Sequence, residues 1–128
     1  MSIELNHTVV FARGKAKSAA FLADILGLPV GEQWGPFVPI QVSNGVTLDY
    51  ADADHIQSQH YAFLVSEDEF DAAFTRIQES GLTYYADPFH HHSGEINHHY
   101  GGRGVYFNDP DGHNMELMTA PYGALPAP

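Results

Sequence analysis

The chain reads as two copies of one unit. LNHTVVF around His7 is matched by SQHYAFL around His60, 53 positions later. At the same offset Ala19-Ala20-Phe21 recurs as Ala72-Ala73-Phe74, and the stretch from Gly45 to Asp49 is matched by Gly112 to Glu116 at an offset of 67. The second copy therefore carries 14 additional residues before its last strand. Three matches in the same order indicate an internal duplication. Each copy must bury its own apolar residues with the same order of elements.

That order is strand, helix, then shorter strands. Ile3, Leu5, His7, Val9 and Phe11 alternate with Glu4, Asn6, Thr8 and Val10, the period of a strand. Residues 16–26 predict a helix, with Phe21 and Ile25, and Leu22 and Leu26, at four-residue spacing, stopped by Gly27 and Pro29. In the second copy Ser66 and Glu69 form a capping-box pair ahead of the stripe Phe70, Ala73, Phe74 and Ile77, and Gly81 supplies the stop. GVYF and HNMELM flank Asn108-Asp109-Pro110-Asp111-Gly112, a hairpin signature. The expectation is an α+β chain of two βαβββ modules, about 3–52 and 56–120, within one domain of 1–128. A loose Pro-rich tail over 121–128 ends it.

Composition narrows the chemistry. There is no cysteine, so disulfides and thiolate ligands are excluded and a metal site must use imidazole and carboxylate, which suits Fe2+, Mn2+, Ni2+, Co2+ or Zn2+. Sixteen acidic residues against five basic ones give a formal charge of −11, which disfavours nucleic acid and anionic membranes as partners and favours a cationic ligand. No apolar run reaches the roughly 20 residues of a membrane span. MSIELNHTVVF lacks the features of a secretion signal, so a cytoplasmic protein is expected.

The duplication sets His7 and Asp49 of one copy against His60 and Glu116 of the other. A strand His or a terminal-strand Glu, taken singly, is more often an ordinary hydrogen-bonded residue. Two imidazoles and one carboxylate on one side of a metal, however, leave positions open for substrate or oxygen. His7, His60 and Glu116 are therefore the metal-ligand candidates, and Glu116 is also the catalytic candidate. Asp49 is a fourth ligand, an acceptor for an imidazole N–H, or an exposed residue.

The two βαβββ halves, a His near each start, GKAKSAAFLADILGLP and the ending GVYFNDPDGHNMEL resemble the vicinal oxygen chelate superfamily (glyoxalase I, bleomycin-resistance proteins, fosfomycin-resistance thiol transferases, extradiol dioxygenases). The resemblance runs to about residue 120. It implies a cupped mixed sheet, a homodimer, His7, His60 and Glu116 on one divalent metal, and a small oxygen-rich substrate chelating that metal through two oxygens. Asp49 matches a position where glyoxalase I has Glu, so a four-ligand site of that type departs from the pattern.

The inserted segment YYADPFHHHSGEINHHYGGRG holds five of the nine histidines. It is read either as a flap bordering the site, carrying a proton near neutral pH, or as a polar surface loop. From it Tyr100 and His98 are substrate-binding candidates beside Asp49. Arg103 is either a clamp for a substrate anion or the partner of a surface acid. The leading function is a metal-dependent lyase or isomerase of glyoxalase type, a small dioxygenase, or a drug-modifying resistance enzyme. The alternative is a non-catalytic protein, like those of bleomycin resistance, that sequesters a cationic drug or metabolite.

Overall fold

The computed structural model describes residues 2–123, and two compact units divide it at Gln57 and Ser58. None of the helices among the described residues is long and apolar enough to cross a membrane.

The first unit orders as β1 (His7–Ala12), α1 (Lys15–Leu26), β2 (Val38–Gln41) and β3 (Thr47–Asp52). Its sheet runs β1-β3-β2, with β1 parallel and β2 antiparallel to the central β3. Val10, Ala12, Val38, Ile40, Leu48 and Tyr50 share one face by register and are buried, as are Ser18, Ala19, Leu22, Ala23 and Ile25 of α1. Gly14 gives α1 no side-chain cap. Asp52 replaces one, its Oδ1 accepting the Lys15 N–H at 2.9 Å. Gly27 closes the helix in the left-handed region, φ 70°, where a side chain would be strained.

This unit has one strand fewer than the repeat predicts. The stretch between α1 and β2 contains Pro29 and Pro36, which lack the donors a ladder needs. In place of a strand its backbone forms a Trp34–Phe37 bridge and a bond from Gly31 N–H to the Pro39 carbonyl.

The second unit is βαβββ in full: β4 (His60–Leu64), α2 (Glu67–Glu79), β5 (Tyr84–Tyr85), β6 (Gly104–Asn108) and β7 (Asn114–Met118), with sheet order β4-β7-β6-β5. The Ser66–Glu69 capping box is formed in both directions. Phe70, Ala73 and Ile77 are buried beneath α2, as are Val105, Phe107, Met115 and Leu117 on one face of the sheet. The β6–β7 hairpin is held by Asp109, whose Oδ1 accepts from Asp111 N–H at 2.9 Å and His113 N–H at 2.8 Å. Gly112, at φ 84°, makes the return.

The duplication is structural. Asp49 of β3 is registered with Val9, two residues after His7. Glu116 of β7 is registered with Ala62, two residues after His60. Both pairings are parallel, so each carboxylate shares a face with the histidine of its own unit.

Candidate functional site

Alternation along β7 places Met115 and Leu117 toward α2 and Asn114, Glu116 and Met118 on the opposite face. Register adds His60 from β4, Tyr106 from β6 and Tyr85 from β5 to that face. His60 Nε2 lies 2.9 Å from Glu116 Oε1, and the His60 ring is tilted 5.8 Å from that of Tyr106. The His60 side chain is 45% exposed and that of Glu116 1%.

Glu116 Oε2 is buried without a hydrogen-bond partner. A carboxylate removed from water with half its acceptors unfilled is costly unless a positive charge compensates it. Two oxygens beside an imidazole nitrogen form a donor set suited to a divalent cation. The first unit repeats the feature: Asp49 is 3% exposed and its Oδ1 has no partner. The exposed reading of Asp49 is thereby excluded. His7 is exposed at the start of β1, its Nδ1 2.8 Å from Asn6 Oδ1. Among the described residues no group of three or more His, Asp or Glu side chains gathers closely enough to hold a metal.

Two tyrosines complete the second unit's face. The hydroxyls of Tyr106 and Tyr122 are 2.6 Å apart. Burial pushes Tyr106 up to about 12, the hydrogen bond shared with Tyr122 offsets part of this, and the Glu116 charge raises it further. Burial also raises Tyr122, reinforced by Glu116 and Tyr106. Both hydroxyls thus feel the carboxylate, although neither satisfies Oε2 with proper hydrogen-bond geometry. Alternation in GVYF put Tyr106 within reach of sequence reading. Tyr122 lies in the segment expected to be a loose tail, and its hydroxyl is bonded to that of Tyr106. Residues 124–128 of that tail lie outside the described residues.

The inserted segment is partly built onto the same face. His90 Nε2 is 2.9 Å from Asn114 Oδ1, and its ring stacks on Tyr85 at 4.0 Å with 1° between planes. Tyr100 is 59% exposed, at φ 55°, with its ring 5.5 Å from that of Tyr122. It therefore stands one ring away from the Tyr106 hydroxyl. His98 is exposed and precedes the 3-10 turn His99–Gly101.

Arg103 forms ion pairs. Its Nε donates to Glu67 Oε1 and its NH1 to Asp71 Oδ1, both at 2.8 Å, and its NH2 donates to the Glu67 carbonyl at 3.1 Å. The guanidinium also sits 4.5 Å from the centre of the Phe70 ring. These contacts pull its proton affinity up, Asp71 first and Glu67 next. Of the two readings of Arg103, the ion pair is the one this structure contains, Glu67 and Asp71 of α2 taking up the fork.

A family model for the Glyoxalase/Bleomycin resistance protein/Dioxygenase superfamily matches residues 4–117. The chain belongs to that superfamily. Among solved structures of this fold, Oxidase ChaP-H2 is 62% identical, with 96% of this chain and 98% of that one covered at a TM-score of 0.94. The glutathione transferase FosA of Serratia marcescens is 29% identical over 127 residues, 94% of this chain and 83% of that protein. A structure of the fosfomycin resistance protein FosX from Listeria monocytogenes, complexed with Mn(II) and 1S,2S-dihydroxypropylphosphonic acid, shares the fold. Its TM-score is 0.72 at 22% identity, covering 95% of this chain and 96% of that one. The oxidase and transferase relatives support an enzyme of the superfamily over a non-catalytic drug-binding protein.

Proposed function

We propose that this chain is a metal-dependent oxidase, working in the cytoplasm as a homodimer on a small substrate with two neighbouring oxygens, such as a catechol. His60 and Glu116 hold one divalent cation, and His7, of the same chain or of a second copy, supplies the third ligand. The observation that carries this reading is Glu116, 1% exposed, with Oε1 on His60 and Oε2 unpartnered. The unpartnered Oε2 of that buried carboxylate is the position a cation would fill.

Three further points support it. His7 repeats the strand position of His60, and its Nδ1 contact with Asn6 leaves Nε2 for a metal. The relative at 62% identity bears the name oxidase. The FosX structure pairs this fold with Mn(II) and a vicinal diol.

When bound, the metal supplies Lewis acidity to the substrate oxygens and so lowers their proton affinity. The protein's own groups do the rest. His60 binds as a neutral imidazole through Nε2. Glu116 balances the cation's charge from a position water does not reach. Tyr106, kept protonated far above neutral pH, is a hydrogen-bond donor beside the carboxylate, and Tyr122 fixes its hydroxyl. Asp49, the buried repeat partner of Glu116, and the exposed Tyr100 and His98 are the remaining candidates for substrate contact.

The test is metal content by mass spectrometry on untagged protein and on His7→Ala, His60→Ala and Glu116→Ala, with oxygen-electrode assays on catechols, hemithioacetals, and fosfomycin plus glutathione. About one metal per chain, lost in all three folded variants, together with oxygen uptake on a catechol, is the expected result. Glutathione addition to fosfomycin without oxygen uptake would replace the oxidase with a thiol transferase. Metal binding indifferent to the substitutions would remove the site altogether.

A further inference from the structure

One histidine of the inserted segment is built differently from its neighbours. His91, His92, His98 and His99 are exposed, whereas His90 is half-buried against β5 and β7. Its backbone sits at φ 60°, a region that Gly enters freely and other residues at a cost. A positive-φ position filled by histidine where glycine would be unstrained directs attention to what the imidazole contacts.

The ring is fixed in three ways. It lies flat on Tyr85 at 4.0 Å. Its Nε2 meets Asn114 Oδ1 at 2.9 Å, and Asn114 Nδ2 donates to the Pro88 carbonyl at 3.0 Å. A carbonyl only accepts, so the Asn114 amide has one orientation and presents its oxygen to His90. His90 Nε2 must then be the donor. In the neutral imidazole that leaves Nδ1 as an acceptor, and among the described residues nothing donates to it.

His90 also sits on the face that carries the proposed metal ligands. Asn114 is registered with His60 and stands two residues from Glu116 along β7, about 7 Å at strand spacing. The pinning does not depend on His90 alone. Asp87 accepts the backbone N–H groups of His91 and His92 at 2.8 Å through Oδ1, and its carbonyl accepts that of His90 at 3.2 Å.

We infer that His90 is a specificity-determining residue: its Nδ1 accepts a hydrogen bond from a third hydroxyl of a substrate held at His60 and Glu116. This rests on the metal-site reading above and adds that the substrate is a trihydroxylated ring or its equivalent, not a simple diol. A role limited to anchoring the loop would use only the Nε2 side of the ring and would be blind to that hydroxyl.

The experiment is anaerobic displacement of 4-nitrocatechol, followed by absorbance, from Mn2+-loaded protein. The competitors are catechol, pyrogallol and benzene-1,2,4-triol. The wild type is expected to prefer at least one triol over catechol by about fivefold, the size of one net hydrogen bond. His90→Gly relieves the backbone and should bind catechol as the wild type does while losing the preference. His90→Asn, also tolerant of positive φ, is a second variant and should behave alike. Absence of a triol preference, or a preference that survives both substitutions, overturns the inference while catechol binding that still requires His60 and Glu116 keeps the metal-site reading intact. Catechol binding indifferent to His60→Ala and Glu116→Ala overturns both.

Discussion

Glu116 and Asp49 occupy the same register position in two sheets, each opposite the residue two places after its unit's histidine, and each buries a carboxylate oxygen that has no hydrogen-bond partner. Duplicated chemistry, not just duplicated packing, is therefore built into the fold. One half pairs its carboxylate with an imidazole at 2.9 Å. The following outcomes are expected.

Glu116→Gln removes a buried charge while keeping the size of the side chain. In metal-free protein it should be at least as stable as the wild type, and more stable by about 1–3 kcal/mol if the amide satisfies the unpartnered position. Added Mn2+ should raise the melting temperature of the wild type by linkage and leave that of the variant unchanged. Equal shifts in both proteins, read by thermal unfolding with and without chelator, would disconnect Glu116 from the metal.

Tyr106 sets a high-pH limit. Burial raises it from 10.0 to about 12, so the folded protein favours the neutral phenol. That contribution is complete below about pH 10 and is lost as pH rises through about 12, because the unfolded chain releases the proton first. Urea unfolding of metal-free protein across this window should show stability falling, with a flatter profile for Tyr106→Phe. Tyr122→Phe should lower the late-titrating tyrosine absorbance as well, since Tyr122 is raised by the same burial.

Arg103→Ala should cost stability and spare the site. The carboxylates of Glu67 and Asp71 are more than half exposed, so solvent screening holds the loss near 1 kcal/mol despite two contacts of 2.8 Å. Arg103→Lys should recover only part of it, because a single ammonium cannot reproduce the fork. Metal content should match the wild type in both. A fall in metal content would return Arg103 to the candidate site.

Ser66→Ala breaks one arm of the capping box and should destabilise the protein by about 1 kcal/mol in urea unfolding. No change would mean that α2 is held by its buried face alone.

Sequence determined what local rules and repetition can encode. The capping box, the Asp109–Gly112 hairpin, the apolar stripe of α2 and the matched His and carboxylate positions depend on spacings of a few residues, or on one copy echoing the other. Each is legible in the chain itself. Tertiary structure decided the rest, because it depends on which distant groups meet. The prolines between α1 and β2 removed ladder donors and left the first unit a strand short. Arg103 was drawn to the acidic turn of α2, Tyr122 was brought from the tail to the Tyr106 hydroxyl, and one histidine among five was set against Asn114 and Tyr85. Each contact joins residues 16 or more apart in sequence or hinges on which face of a strand a loop returns to, and neither is written in a local pattern.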